Sequence, residues 1–206
     1  MRLVAVVPLQ ALAGAKSRLA AALAPAERAA LTLRLLHGVL DALAAPAVAE
    51  RLVVSPDPRA LAEARAAGAA TLRQRLPTRG DALNDALAEA RDWAAARGAD
   101  ALLVVLGDLP LLTAADVAAL VALAGRDAPV VVLAPDRHER GTNALLLRPP
   151  DAIPFAFGPD SLARHLAAAT ARGLPVRLYR APGTALDLDT PEDLAALPAR
   201  VVGRGA

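Results

Sequence analysis

The chain has 206 residues, 55% of them hydrophobic, with no cysteine and a net charge of only +2. A chain of this length can bury a core of its own, which excludes disorder, collagen and small disulfide scaffolds; the missing cysteine excludes thiolate catalysis, iron–sulfur clusters and cysteine zinc sites. Aromatics at 2% argue against a stacking reader of nucleic acid, and no apolar stretch reaches the roughly 20 residues of a membrane span, so one cytoplasmic domain over residues 1–206 is expected, with no nucleic-acid or membrane partner.

The elements follow in chain order. Leu3–Val7 is a near-continuous apolar run ended by Pro8, the pattern of a strand buried on both faces. A loop, Leu9–Leu19, carries the cluster Lys16-Ser17-Arg18. Between Pro25 and Leu43 the residues Leu31, Leu35, Val39 and Leu43 recur at helical spacing. Leu52–Val54 predicts a second strand, Arg59–Ala67 a short helix, and Ala69–Leu72 a third strand. Asp81 opens a helix with Leu83, Leu87, Ala90 and Ala94 on one face and Gly98 at its end. Ala101–Leu106 is the clearest buried strand and runs into Gly107-Asp108-Leu109-Pro110. Thr113 and Asp116 form the pattern of a capping box before the helix of Val117, Leu120 and Val121. Val130–Ala134 and Asn143–Leu147 predict strands around a turn at Asp136–Gly141. Ser161–Arg172 predicts a helix and Val176–Tyr179 a strand. Thr190 with Pro191 opens a last short helix, and the tail from Val201 is expected to fray. Strands alternating with helices throughout mean an α/β sheet covered on both faces, whose ligands bind beyond the carboxyl ends of the strands.

The rare polar residues fall near those ends. Lysine occurs once, at Lys16; serine three times, at Ser17, Ser55 and Ser161; asparagine twice, at Asn84 and Asn143. Lys16 offers a point charge and Arg18 a planar fork, which together suit a polyphosphate, although the P-loop pattern is absent and a solvated basic loop is the plain alternative. Asp108, directly after the most hydrophobic strand, is placed to hold magnesium, which takes one or two carboxylates beside phosphates and water; the alternative is a turn aspartate. Asp187 and Asp189 are two apart, so in extended chain they share a side, and a cation would relieve their mutual repulsion. Arg140-Gly141-Thr142-Asn143 and Phe157-Gly158-Pro159-Asp160-Ser161 offer hydroxyls and glycine amides for a small anion, with helix capping by Asp160 or Ser161 as the alternative. Asp81 and Asn84 could meet a nucleobase edge, while Asp81 equally fits an N-cap. His37, His138 and His165 have no metal-ligand spacing and receive no role. A cationic loop, three metal-competent aspartates and a separate anion pocket point to phosphoryl or nucleotidyl transfer, in which charge neutralisation does most of the work.

Taken together, V-P-L-Q…A-K-S-R-L (7–19), D-A-L-N-D-A (81–86), G-D-L-P-L (107–111), R-G-T-N-A-L (140–145), F-G-P-D-S (157–161) and D-L-D-T-P-E-D-L (187–194) resemble, in order and over nearly the whole chain, the guanylyltransferase family of coenzyme F-420 biosynthesis. The resemblance implies transfer of GMP from GTP to the phosphate of a three-carbon phospho-acid, with phosphoenolpyruvate favoured and 2-phospho-L-lactate or 3-phospho-D-glycerate as the alternatives. The resemblance implies a three-layer nucleotidyltransferase sandwich, like that of nucleotide-diphospho-sugar transferases, with a mostly parallel sheet. It implies that GTP binds with its triphosphate at Lys16 and Arg18 and its base near Asp81 and Asn84. Asp108, Asp187 and Asp189 would hold magnesium, and Thr142, Gly158 and Ser161 would bind the phospho-acid. A homodimer is an expectation from the resemblance alone. Many relatives carry a basic residue where this chain has Gln10, so Arg2 or Arg79 is a candidate replacement. Two other readings stand beside this one: a molybdopterin- or sugar-phosphate nucleotidyltransferase, and a silent nucleotide-binding protein. The single glycine of Leu9–Leu19 argues against the first, and the three aspartates against the second.

Overall fold

All six residues of Leu3–Pro8 are buried and form strand β1 in the interior of the sheet. The structure is a computed structural model that describes residues 1–75, 81–125 and 128–197, so Arg79 and the tail from Val201 lie outside the described residues. In chain order the further elements are α1 (Pro25–Ala42), β2 (Glu50–Ser55), α2 (Pro58–Ala66), β3 (Ala70–Arg73), α3 (Ala82–Ala95), β4 (Ala101–Val105), α4 (Ala114–Ala124), β5 (Val130–Pro135), β6 (Thr142–Arg148), α5 (Ser161–Ala171), β7 (Val176–Leu178), α6 (Pro182–Ala185) and α7 (Pro191–Ala196).

Seven strands pair in the order β3-β2-β1-β4-β6-β5-β7. Only β6 runs against the rest, pairing antiparallel with both β4 and β5. The short turn between β5 and β6 dictates this, because a parallel return needs a crossover of a dozen residues or more. Asp136 Oδ1 closes that turn, accepting from the Arg140 amide at 2.9 Å and the His138 amide at 3.2 Å.

Alternation along each strand sends side chains to two cores. Leu3, Ala5 and Val7 of β1 join Leu103, Val132 and Leu146 under α1, α2 and α4, where Leu36, Leu40, Ala64 and Leu120 close the first core. Val4 and Val6 join Leu102, Val131 and Leu145 under α3 and α5, where Leu87, Ala90 and Leu162 close the second. The result is the expected α/β/α sandwich, and its central strands are apolar throughout because both faces are covered. No helix among the described residues is long and apolar enough to cross a membrane.

A third, smaller cluster packs Leu19, Leu188 and Leu197 against Leu31 and Leu35 in the middle of α1. It ties the loop after β1 to the segment before α7. Burying each such leucine contributes about 1.5–3 kcal/mol, enough to fix two segments that have no ladder of their own. The capping pattern at Thr113 forms as expected, with the Asp116 amide donating to Thr113 Oγ1 at 3.2 Å and the Thr113 amide to Asp116 Oδ2 at 2.9 Å. Thr190 and Asp193 repeat it at α7. The sequence pattern did not predict α6 or the 3-10 turns Leu12–Gly14 and Ser17–Leu19. Such short turns close by local bonds and leave no hydrophobic period to detect.

Candidate active site at the carboxyl ends of the strands

The loop after β1 is pinned at several points before it reaches Lys16. The Leu9 amide donates to the Val54 carbonyl at 2.9 Å, the Leu12 amide to Asp57 Oδ2 at 2.9 Å, and Arg28 Nε to the Ala15 carbonyl at 3.3 Å. Burial pushes the Asp57 carboxyl up, but the amides of Leu12, Ala60 and Arg59 outweigh it and hold the pKa below the usual carboxylate range. Lys16 itself has φ 51°, a left-handed conformation that costs a non-glycine residue energy.

This backbone aims the Lys16 ammonium at two carboxylates. Nζ donates to Asp108 Oδ2 at 2.7 Å and to Asp189 Oδ1 at 2.9 Å, with the lysine side chain only 7% exposed. Burial alone would lower the Lys16 pKa; the two aspartates reverse that and raise it, so the ammonium stays charged. Arg18 sits outside the buried pair, with Nη1 3.8 Å from Asp189 Oδ2 and its side chain largely in solvent.

Asp108 follows Gly107, whose close approach to β1 leaves little space: an added Cβ would stand 3.1 Å from Leu9 Cδ1 and 3.3 Å from Val7 Cγ1. The Asp108 carbonyl accepts the Leu188 amide at 3.0 Å, which docks the Asp187–Asp189 segment onto the end of β4. Leu188 points into the third cluster, leaving its two aspartate neighbours on the other side as period-two alternation requires. Burial, then the nearby Asp108 charge, raises the Asp187 pKa, and Asn143 Nδ2 approaches Asp187 Oδ1 at 3.5 Å. Asp193 holds the far end: its Oδ2 accepts the Asp189 amide at 2.9 Å and the Thr190 amide at 2.7 Å, while Arg137 binds its Oδ1.

Asp108 Oδ1 is buried without a hydrogen-bond partner. An orphaned carboxylate oxygen beside two further aspartates is a hard-oxygen donor set of the kind a magnesium ion takes. Among the described residues no group of three or more His, Asp or Glu side chains is already gathered as a metal cage. Lys16 instead bridges two of the three aspartates. The donor chemistry fits a divalent cation once Lys16 moves its charge elsewhere.

A cleft of about 310 Å³ opens beside this cluster, lined by Leu9, Gln10, Lys16, Gln74, Leu83 and Asp108 among others. Arg2 does not compensate for Gln10. It precedes β1, about 20 Å from the carboxyl end where Lys16 stands, and pairs with Glu50 at 3.1 Å.

The start of α3 closes the far wall. Asp81 is its N-cap, accepting from the Leu83 amide at 3.2 Å and the Asn84 amide at 3.3 Å. Asn84 is committed within the protein: its Oδ1 accepts the Phe157 amide at 2.9 Å, and its Nδ2 donates to the Phe157 carbonyl at 3.1 Å and to Asp81 Oδ2 at 2.5 Å. It therefore pins the peptide just before Gly158.

Gly158 has φ 107°, a conformation open to glycine and strained for other residues. Asp160 is the N-cap of α5 but makes no side-chain capping bond; its carboxylate takes Arg140 Nε at 3.0 Å and Nη2 at 2.8 Å. Ser161 is the first helical residue and is buried. Thr142 is also buried, with its Oγ1 3.1 Å from His165 Nδ1. The structure thus brings Lys16, Asp108 and Asp189 together directly, and Asp187 beside them. His165 contacts Thr142 and the Ala156–Phe157 segment that leads to Gly158, and shares α5 with Ser161, while Asn84 joins that segment to α3. The sequence analysis gave no part in the site to Asp57, Asp193, Arg137 or His165, and put Asn143 in the small-anion motif, whereas its Nδ2 lies toward Asp187.

The fold is that of the α/β nucleotidyltransferases. One solved structure with this fold is CMP:2-keto-3-deoxy-manno-octonic acid synthetase complexed with CTP, with a TM-score of 0.67 at 16% identity, covering 98% of this chain and 99% of that one. Residues 3–202 match the family model described as guanylyl transferase CofC like, and the chain belongs to this family of nucleotidyltransferase enzymes. Phosphoenolpyruvate guanylyltransferase of Rubrobacter xylanophilus is 54% identical over 97% of this chain and 95% of its own. The 3-phospho-D-glycerate guanylyltransferase of Phenylobacterium zucineum is 44% identical over 93% of this chain and 87% of its own.

Proposed function

We propose that this chain transfers the guanylyl group of GTP to the phosphate of a three-carbon phospho-acid, with phosphoenolpyruvate the favoured acceptor, as a step of coenzyme F-420 biosynthesis. The observation that carries the reading is the buried Lys16 ammonium between Asp108 and Asp189 at the edge of the cleft. The 54% identical relative, named for phosphoenolpyruvate, supports the choice of acid.

In this reading the triphosphate lies along the loop of Lys16 and Arg18, and Lys16 exchanges its carboxylate partners for phosphate oxygens. Asp81 faces the nucleotide, and Asn84 connects the nucleotide side to the loop that carries Gly158. Thr142, Gly158 and Ser161 hold the acid. Asp108, Asp187 and Asp189 would hold magnesium, which when bound neutralises phosphate charge and favours attack at phosphorus. An oxygen of the acid's phosphate bonds to the α-phosphorus of GTP while the α–β bridging bond breaks, and diphosphate leaves with the electron pair. No protein nucleophile is needed; Lys16 and Arg18 carry the charge of the leaving diphosphate.

Phosphorus NMR of a reaction with GTP, magnesium and phosphoenolpyruvate tests this. The expected products are enolpyruvyl-diphospho-guanosine, with two coupled resonances of an unsymmetrical diphosphate, and free diphosphate. Conversion of GTP to GDP and phosphate, with the acid unchanged, would overturn the reading.

A further inference from the structure

His165 is fully buried on α5, one turn after Ser161. Its Nε2 lies 3.0 Å from the Ala156 amide nitrogen. A backbone N–H can only donate, so Nε2 must accept, and the proton of the neutral ring sits on Nδ1. That Nδ1–H lies 3.1 Å from Thr142 Oγ1 and must donate to it. The Thr142 hydroxyl therefore keeps its own hydrogen free, and His165 is its only side-chain partner among the described residues. A hydroxyl held as acceptor on one side and donor on the other is what a carboxylate or phosphate oxygen requires.

The same ring packs edge-on against Phe157, with centroids 5.0 Å apart and an interplanar angle of 73°. His165 thus touches strand β6 through Thr142, the loop before Gly158 through Ala156 and Phe157, and shares its helix with Ser161. Burial, with the neighbouring Arg164 charge, lowers its pKa to about 4, so the ring stays neutral, and the Ala156 amide sets its tautomer.

We propose that His165 is a positioning residue for the phospho-acid: as the Nδ1–H tautomer it turns the Thr142 hydroxyl hydrogen toward the acid and holds Gly158 and Ser161 around it. This rests on the assignment of Thr142, Gly158 and Ser161 to the acid made above. His165 does not itself touch the reacting atoms.

Three variants separate this role from simple packing. In His165→Asn the amide Nδ2–H replaces the Nδ1–H donor; in His165→Gln the amide oxygen replaces the Nε2 acceptor; His165→Ala replaces neither. The Ala and Gln variants should raise the KM for the acid about tenfold or more, with the KM for GTP within about twofold, and Asn should recover most of the loss. Equal effects of Asn and Gln, or a GTP KM that rises in step, overturn the proposal. Nitrogen-resolved NMR of the wild-type imidazole gives a readout that needs no variant to fold: a neutral ring protonated at Nδ1 is expected, and protonation at Nε2 overturns the proposal. Wild-type protein that turns over no phospho-acid overturns the functional reading and this inference with it. Normal wild-type turnover with unchanged acid KM in His165→Ala overturns the inference alone.

Discussion

Lys16, Asp108 and Asp189 form a cluster in which one buried ammonium meets two carboxylates, leaving a net negative charge, and Asp108 still has one oxygen to spare. Replacing Asp108 by Asn removes charge from the proposed metal site without changing its shape. The expected result is a loss of roughly 100-fold or more in kcat/KM, with a thermal midpoint shifted by no more than about 4 °C. A near-normal rate in the folded variant would remove Asp108 from the site. His165 gives a second test, through stability. Its folded pKa of about 4 lies below the ordinary value of 6.5, so the unfolded chain takes up the proton first as pH falls. Stability from the neutral ring is complete above about pH 6.5 and is lost toward pH 4. This amounts to roughly 2 kcal/mol between about pH 7 and pH 5. Urea unfolding at the two pH values should show that loss in the wild type and a clearly smaller one in His165→Gln; equal losses would contradict it. The lysine and Asp108 were legible because a lone lysine and a carboxylate after a buried strand stand out in an alanine- and leucine-rich chain. Asn84 was legible as unusual but its partner was not, because Phe157 is 73 positions away. His165 was passed over because its function depends on a tautomer set by Ala156, which no spacing rule encodes.

Among the elements, β1, β4 and β5 were legible because burial on both faces writes a near-continuous apolar run. The reversal of β6 followed from the shortness of its turn. The stretch between β6 and α5 has no regular structure, and only its motif marked it. Its shape depends on Gly158, where φ is 107° and an added Cβ would stand 3.2 Å from Arg164 Nη2. That guanidinium donates to the Phe157 carbonyl at 2.8 Å, the same carbonyl that Asn84 holds. Gly158→Ala should therefore cost about 1–3 kcal/mol of strain, lowering the thermal midpoint by roughly 3–10 °C. It should also raise the KM for the acid more than that for GTP. An unchanged midpoint and equal KM effects would show that the loop tolerates a side chain there and does not shape the acid pocket.

For the whole molecule, the alternation of strands and helices was enough to predict a layered sheet, but not its order. That β4 lies beside β1, and that β6 enters the sheet between β4 and β5, is decided by which apolar faces cover one another, not by any local pattern. This order brings the ends of β1 and β4 together, so Lys16 and Asp108 meet although 92 positions separate them. The third leucine cluster then docks Asp187 and Asp189 against them from the far end of the chain. Joining these parts has one purpose in this account: to bring a nucleoside triphosphate and a phospho-acid to one charged point. The most direct test is diphosphate release by the purified protein with GTP and magnesium, alone and with phosphoenolpyruvate, 2-phospho-L-lactate or 3-phospho-D-glycerate. Release is expected to require both magnesium and an acid and to be fastest with phosphoenolpyruvate. Release with GTP alone at the same rate, or no release with any of the three acids despite GTP binding, would contradict it.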